Sequence, residues 1–246
     1  MILALDFPSL SPAMDLAKSL SSTVGILKIN IQLFTAEGPA AVEKLAGLGA
    51  GIFLDLKFHD IPNTVKGAVE SAVALPGVHL LDLHALGGLE MMRAAAKARD
   101  EAHGPRLSAP KLLAITILTS IDNAALKGVG IAGPASMRVV QLARLAKKAG
   151  MDGVVASPQE VRAIRRACGK EFLIVVPGIR PMSGAGAAAG TRKSKKDDQA
   201  RIATPAEAIC AGADYLVVGR PITAAADPVA AARSIVEEIE SALPRK

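Results

Sequence analysis

Residues 51–64 read Gly51-Ile52-Phe53-Leu54-Asp55-Leu56-Lys57-Phe58-His59-Asp60-Ile61-Pro62-Asn63-Thr64. The apolar run 51–54 has the character of a short strand buried on both faces. Asp55 and Lys57 stand two residues apart, so on a strand both point to the same side. Asp60 follows where the strand should end, and Pro62 opens a run from Thr64 to Glu70 with helical character. The stretch is a strand, a turn and a helix start, with acid, base and acid gathered at the strand's carboxyl end. An isolated Asp-x-Lys pair is most often a surface salt bridge worth little. The rest of the chain gives this one a different setting.

Working outward, strand-like apolar runs recur at residues 2–6, 26–30, 79–84, 111–118, 153–156, 172–176 and 215–218. Helical patterns fall between them, at about 9–20, 36–48, 64–74, 85–102, 124–149, 158–167, 206–211 and 228–242. Eight short, apolar strands alternating with helices over 246 residues predict α/β architecture closed as a single (β/α)8 TIM barrel. One barrel domain is expected over 1–246, with a Gly/Ala/Ser-rich flexible loop at about 181–200.

Composition narrows the function classes. Half of the residues are apolar, enough for a sizeable core, whereas Trp is absent and Tyr occurs once. Aromatic cages and base-stacking platforms are not expected from so few aromatic residues. The net charge of +6 suits an anionic ligand. Basic residues are scattered apart from Arg192-Lys193-Ser194-Lys195-Lys196, which argues against a nucleic-acid track. Cys168 and Cys210 lack any Cys-x-x-Cys spacing, and no apolar run approaches the length of a membrane span. A reduced, cytoplasmic, membrane-free protein is expected.

A barrel of this kind collects its functional residues at the carboxyl ends of the strands. The polar residues there are Asp6, Lys28 with Asn30, Asp55 with Lys57, Asp82 with His84, Thr119 with Ser120, Arg180 and Arg220. Strands seven and eight run into Pro177-Gly178-Ile179-Arg180 and Val218-Gly219-Arg220-Pro221. Loops after these two strands often bind phosphate through exposed backbone N–H groups, and an Arg beside each Gly adds charge-assisted hydrogen bonds. Asp82 and His84 share one side of strand four and read as a hydrogen-bonded barrel-core pair rather than metal ligands.

The ten-residue motif 55–64, together with Leu118-Thr119-Ser120, Pro-Gly-Ile-Arg and Val-Gly-Arg-Pro-Ile-Thr, resembles the orotidine 5′-phosphate decarboxylase family of bacterial type. The resemblance implies a cofactor-free, metal-free barrel that converts orotidine 5′-monophosphate to UMP and CO2. By matching position, Lys57 corresponds to the proton donor and Asp55 to the carboxylate beside the departing CO2. Lys28 completes the charged array, and Asp6 corresponds to the residue bonding the ribose hydroxyls. The resemblance also implies a homodimer in which Asp60 and Thr64 reach the neighbouring site. Thr119 and Ser120 match the pyrimidine-binding end, and Arg180, Gln199, Gly219 and Arg220 the phosphate ligands. The 19 positions from Arg180 to Gln199 exceed the family's usual spacing, so Gln199 is the match most exposed to a shifted alignment. A sister sugar-phosphate decarboxylase, the Mg2+-dependent 3-keto-L-gulonate 6-phosphate enzyme, shares the Asp-x-Lys-x-x-Asp core. The Ile61-Pro62-Asn63-Thr64 continuation and the two Arg-bearing loops favour the nucleotide enzyme.

Overall fold

A computed structural model describes residues 1–103, 109–181 and 201–243. Among them, eight parallel strands close into a barrel in chain order. They are β1 (Ile2–Ala4), β2 (Ile26–Asn30), β3 (Gly51–Phe58), β4 (Val78–His84), β5 (Lys111–Ile115), β6 (Gly153–Val155), β7 (Leu173–Val176) and β8 (Tyr215–Val218). Closure comes from β8 returning to β1, with Ile2 opposite Val217 and Leu3 opposite Val218. The helices around it are α1 (Leu10–Leu20), α2 (Ile31–Glu37), α3 (Pro39–Ala46), α4 (Pro62–Val73), α5 (Gly88–His103) and α6 (Asn123–Gly128). They continue with α7 (Ala135–Lys148), α8 (Val161–Cys168), α9 (Pro205–Ala211), α10 (Arg220–Thr223) and α11 (Pro228–Ala242). No helix among the described residues is long and apolar enough to cross a membrane.

Strand periodicity divides the apolar residues into two layers. Ile2, Ala4, Phe53, Leu80, Leu113, Val175 and Val217 fill the barrel itself. Their alternates, among them Leu3, Leu27, Ile52, Leu54, Leu81 and Val154, pack outward beneath the helices. Gly153 sits where β6 and β7 come closest: a methyl added there would collide with the Leu173 carbonyl oxygen and side chain. Gly153→Ala is expected to lower stability by about 1–3 kcal/mol, read as a shifted urea midpoint at unchanged slope.

Two expected helices are broken by their own turn residues. The helix expected at 36–48 starts earlier, as α2 directly after β2, and is broken before α3 because Gly38 adopts φ +64 and Pro39 restarts the helix. That at 124–149 divides into α6 and α7 across Gly130 and Gly133, both at positive φ, and Pro134. Strand β5 ends at Ile115, short of the expected Leu118, so Ile117 to Ser120 form a loop over the barrel mouth. Most of the expected loop 181–200 lies outside the described residues.

Two Asp–Arg clamps secure the opposite, amino-terminal end. Asp152 accepts from the Leu112 N–H at 2.8 Å and from Arg99 Nη1 at 2.5 Å. Asp214 accepts from the Ile174 N–H at 2.7 Å and from Arg165 Nη2 at 2.7 Å. Each ties a strand start to a helix, which leaves the carboxyl-terminal mouth free to carry function.

Candidate active site

The mouth of the barrel is a pocket lined from all eight strand ends. Asp6, Lys28, Asp55, Lys57, Asp82, Thr119, Ser120, Arg180, Gly219 and Arg220 all reach it. Phe53, Ile115 and Ile117 supply apolar walls.

At its centre is a chain of alternating charge. Lys28 Nζ lies 3.1 Å from Asp6 Oδ1 and 2.7 Å from Asp55 Oδ2, and Lys57 Nζ bonds Asp55 Oδ1. Lys28 and Asp55 are buried, at 7% and 8% exposed, so their attraction is little screened. Burial disfavours the Lys28 ammonium, but Asp55 and then Asp6 outweigh it and raise its pKa. Burial likewise opposes the Asp55 charge, and Lys28 and Lys57 overcome it to hold that carboxyl well below the usual range. Lysine ammonium and aspartate carboxylate are thus the resting charges.

The proximity of Asp55 and Lys57 does not come from simple strand alternation. Leu54 pairs with Leu81 but Phe58 with Leu83, so β3 carries two extra residues in a bulge at 55–57. Lys57 sits there at φ +51, among the described residues the sole non-glycine in the left-handed region. Its backbone N–H donates to Asp82 Oδ1 at 2.8 Å. The bulge re-aims the ammonium over the pocket, a placement that costs on the order of 1 kcal/mol in backbone strain.

Three expectations require correction. Asn30 is not a pocket residue: its side chain caps α2 by accepting from the Leu33 N–H at 2.9 Å. Asp82 and His84 are not a hydrogen-bonded pair, since Asp82 serves Lys57 whereas the His84 ring packs 5.3 Å from that of His59. Burial, His59 and Lys57 push the His84 pKa down to about 4, so its ring is uncharged at neutral pH. Asp60 does not join Asp55 and Lys57 in the pocket. It is exposed, accepting from the Ile61 N–H at 2.6 Å, and Thr64 is exposed beside it. Gln199 lies outside the described residues.

Arg180 and Arg220 both line the same pocket as the charged chain. Gly178 takes φ +77, and the 178–180 turn is held by residue 203: Arg180 N–H donates to Ala203 O at 2.9 Å. Arg201, two residues earlier, was not singled out from the sequence. Its Nη1 bonds buried Glu160 at 2.5 Å and its Nη2 donates to Leu118 O at 3.2 Å. One side chain thereby braces the loop bearing Thr119 and Ser120 against the segment that holds Arg180. The contacts span 41 and 83 residues, beyond any local pattern. Arg201→Met, leaving Glu160 buried and unpaired, is expected to cost about 3 kcal/mol in stability, measured by chemical denaturation.

A family model described as Orotidine 5′-phosphate decarboxylase / HUMPS matches residues 1–235. The chain belongs to this family. A member from Geobacter sp. (strain M21), named orotidine 5′-phosphate decarboxylase, is 54% identical over 238 residues, 97% of this chain and 95% of that one. One of the same name from Anaeromyxobacter dehalogenans is 55% identical over 232 residues, covering 94% of each chain. The crystal structure of orotidine 5′-phosphate decarboxylase from Lactobacillus acidophilus superposes with a TM-score of 0.79 at 37% identity, covering 97% of this chain and 98% of that one. The decarboxylase-family barrel and the charged mouth therefore coincide in one chain.

Proposed function

We infer that the chain is an orotidine 5′-phosphate decarboxylase, releasing CO2 from orotidine 5′-monophosphate to give UMP. The observation that carries this is the Asp6–Lys28–Asp55–Lys57 chain sharing one pocket with two arginines, in a protein more than half identical to decarboxylases over nearly its whole length.

Loss of CO2 leaves an electron pair in the pyrimidine plane at C6. In this reading the Lys57 ammonium stabilises that charge and then delivers its proton to C6. Asp55 and Lys28 orient Lys57, and Asp55 stands beside the departing carboxylate. Asp6, half exposed at the pocket edge, takes the ribose hydroxyls. Thr119 and Ser120 take the pyrimidine, and Arg180, Gly219 and Arg220 the phosphate. Gln199 is assigned to the phosphate on resemblance alone. The chemistry asks for no metal and no cofactor, because one side chain supplies both charge and proton.

Asp60 and Thr64, exposed beside Ile61 at 65% exposure, are assigned to the neighbouring site of a homodimer. A cytoplasmic location fits a pair of free thiols, Cys168 and Cys210. Nucleic acid and membrane are not partners in this reading.

The test is to incubate purified protein with orotidine 5′-monophosphate and quantify products. UMP and CO2 in equal amounts support the assignment. No conversion, with turnover of a 3-keto sugar phosphate in the presence of Mg2+, would move the chain to the sugar-phosphate branch.

A further inference from the structure

Asp82 is fully buried on β4, at 0% exposure, and faces the pocket beside Asp55. We propose that Asp82 is a positioning residue held as a neutral carboxylic acid: Oδ1 accepts the Lys57 backbone N–H, and a proton on Oδ2 is donated to Asp55.

The geometry leaves few alternatives. Both Asp55 oxygens are already met by ammonium groups, Oδ1 by Lys57 and Oδ2 by Lys28. Lys28 is shared in addition with Asp6. Asp82 Oδ2 is buried without a hydrogen-bond partner, in the same pocket lining as Asp55. Two buried carboxylates in contact would repel at low dielectric, and an unpaired one is costly to bury. A single proton turns that repulsion into a hydrogen bond. Burial first, and the Asp55 charge second, push the Asp82 carboxyl well above its usual range.

The groups around Asp82 agree with this state. From β3, Lys57 donates its N–H to it, and the Asp55 and Lys57 charges act on it. From β5 its register neighbour is the apolar Leu113. On its own strand, His84 is uncharged at neutral pH. With Asp82 neutral, two aspartates and two lysines balance, so the array carries no excess negative charge toward an anionic substrate. Asp82 then does two things: it pins the left-handed Lys57 backbone, and it gives Asp55 a third hydrogen bond that favours its ionised form.

The proposal rests on the decarboxylase reading for its kinetic arm only. Asp82→Leu, which removes both contacts, is expected to lower kcat/KM by about a hundredfold or more. Asp82→Asn keeps an acceptor for the Lys57 N–H and a donor for Asp55, and is expected to recover activity to within about fivefold of wild type. Difference infrared spectroscopy reads the proton directly: wild type shows the carbonyl stretch of a protonated carboxyl at neutral pH, and Asp82→Asn lacks it. Absence of that band in wild type overturns the proposal whatever the activity. So does an Asp82→Asn variant as impaired as Asp82→Leu. Failure of wild type to turn over the nucleotide would count against the functional reading and leave the infrared test standing.

Discussion

Lys57→Ala is expected to lower kcat by about a thousandfold or more while changing the dissociation constant for UMP by less than about fivefold. The asymmetry follows from position. Lys57 is one-third exposed at the pocket mouth and paired with Asp55, on a different strand end from Arg180 and Arg220. In the proposed reading, removing it deletes the proton source and the cation beside C6, and leaves the groups assigned to ribose and phosphate in place. A backbone consequence runs the other way. At φ +51, Gly is unstrained where Ala is not, so Lys57→Gly should be more stable than Lys57→Ala by about 1 kcal/mol and equally inactive. Parallel melting curves and single-turnover assays separate the two effects. Substantial turnover in either variant would remove Lys57 from the chemistry.

Arg220→Ala should produce the second large effect, divided by substrate. For orotidine 5′-monophosphate, kcat/KM is expected to fall by about a hundredfold, the loss of a charge-assisted grip on phosphate. For orotidine, which has no phosphate, the fall should be less than about threefold, because binding energy from that remote group is absent already. Arg220 begins α10 directly after Gly219, where an added methyl would stand 3.5 Å from Ala4 Cβ and 3.7 Å from Asp6 Oδ2, so the residues assigned to phosphate and to ribose are neighbours in the pocket. Equal losses for both substrates would place Arg220 in the folding of the barrel mouth.

Most of the fold is legible in the sequence because strand and helix announce themselves by local pattern. Eight apolar runs give eight strands, and their alternation with helices gives closure. The breaks at Gly38-Pro39 and across Gly130–Pro134 are turn chemistry that hydrophobic periodicity overrides unless each glycine is weighed for positive φ. The charged residues of the site were legible for the same reason: strand-top positions follow from strand ends. What the sequence hides is where a side chain goes after the strand stops being regular. Asn30 lies at a strand top and yet caps the next helix. Asp60 lies five residues from Asp55 and yet turns outward. The bulge that aims Lys57 depends on β4 and its Asp82, 25 residues away. Arg201 and Glu160 meet only when β5, β6 and the segment after β7 are brought together, which no spacing within one element encodes.

The most direct measurement follows the absorbance of orotidine 5′-monophosphate with wild-type protein after exhaustive treatment with EDTA. The account predicts complete conversion to UMP at a rate unchanged by the chelator, since Lys57 provides both charge and proton. Loss of activity on chelation, restored by Mg2+, would contradict it and transfer the essential charge from Lys57 to a metal ion.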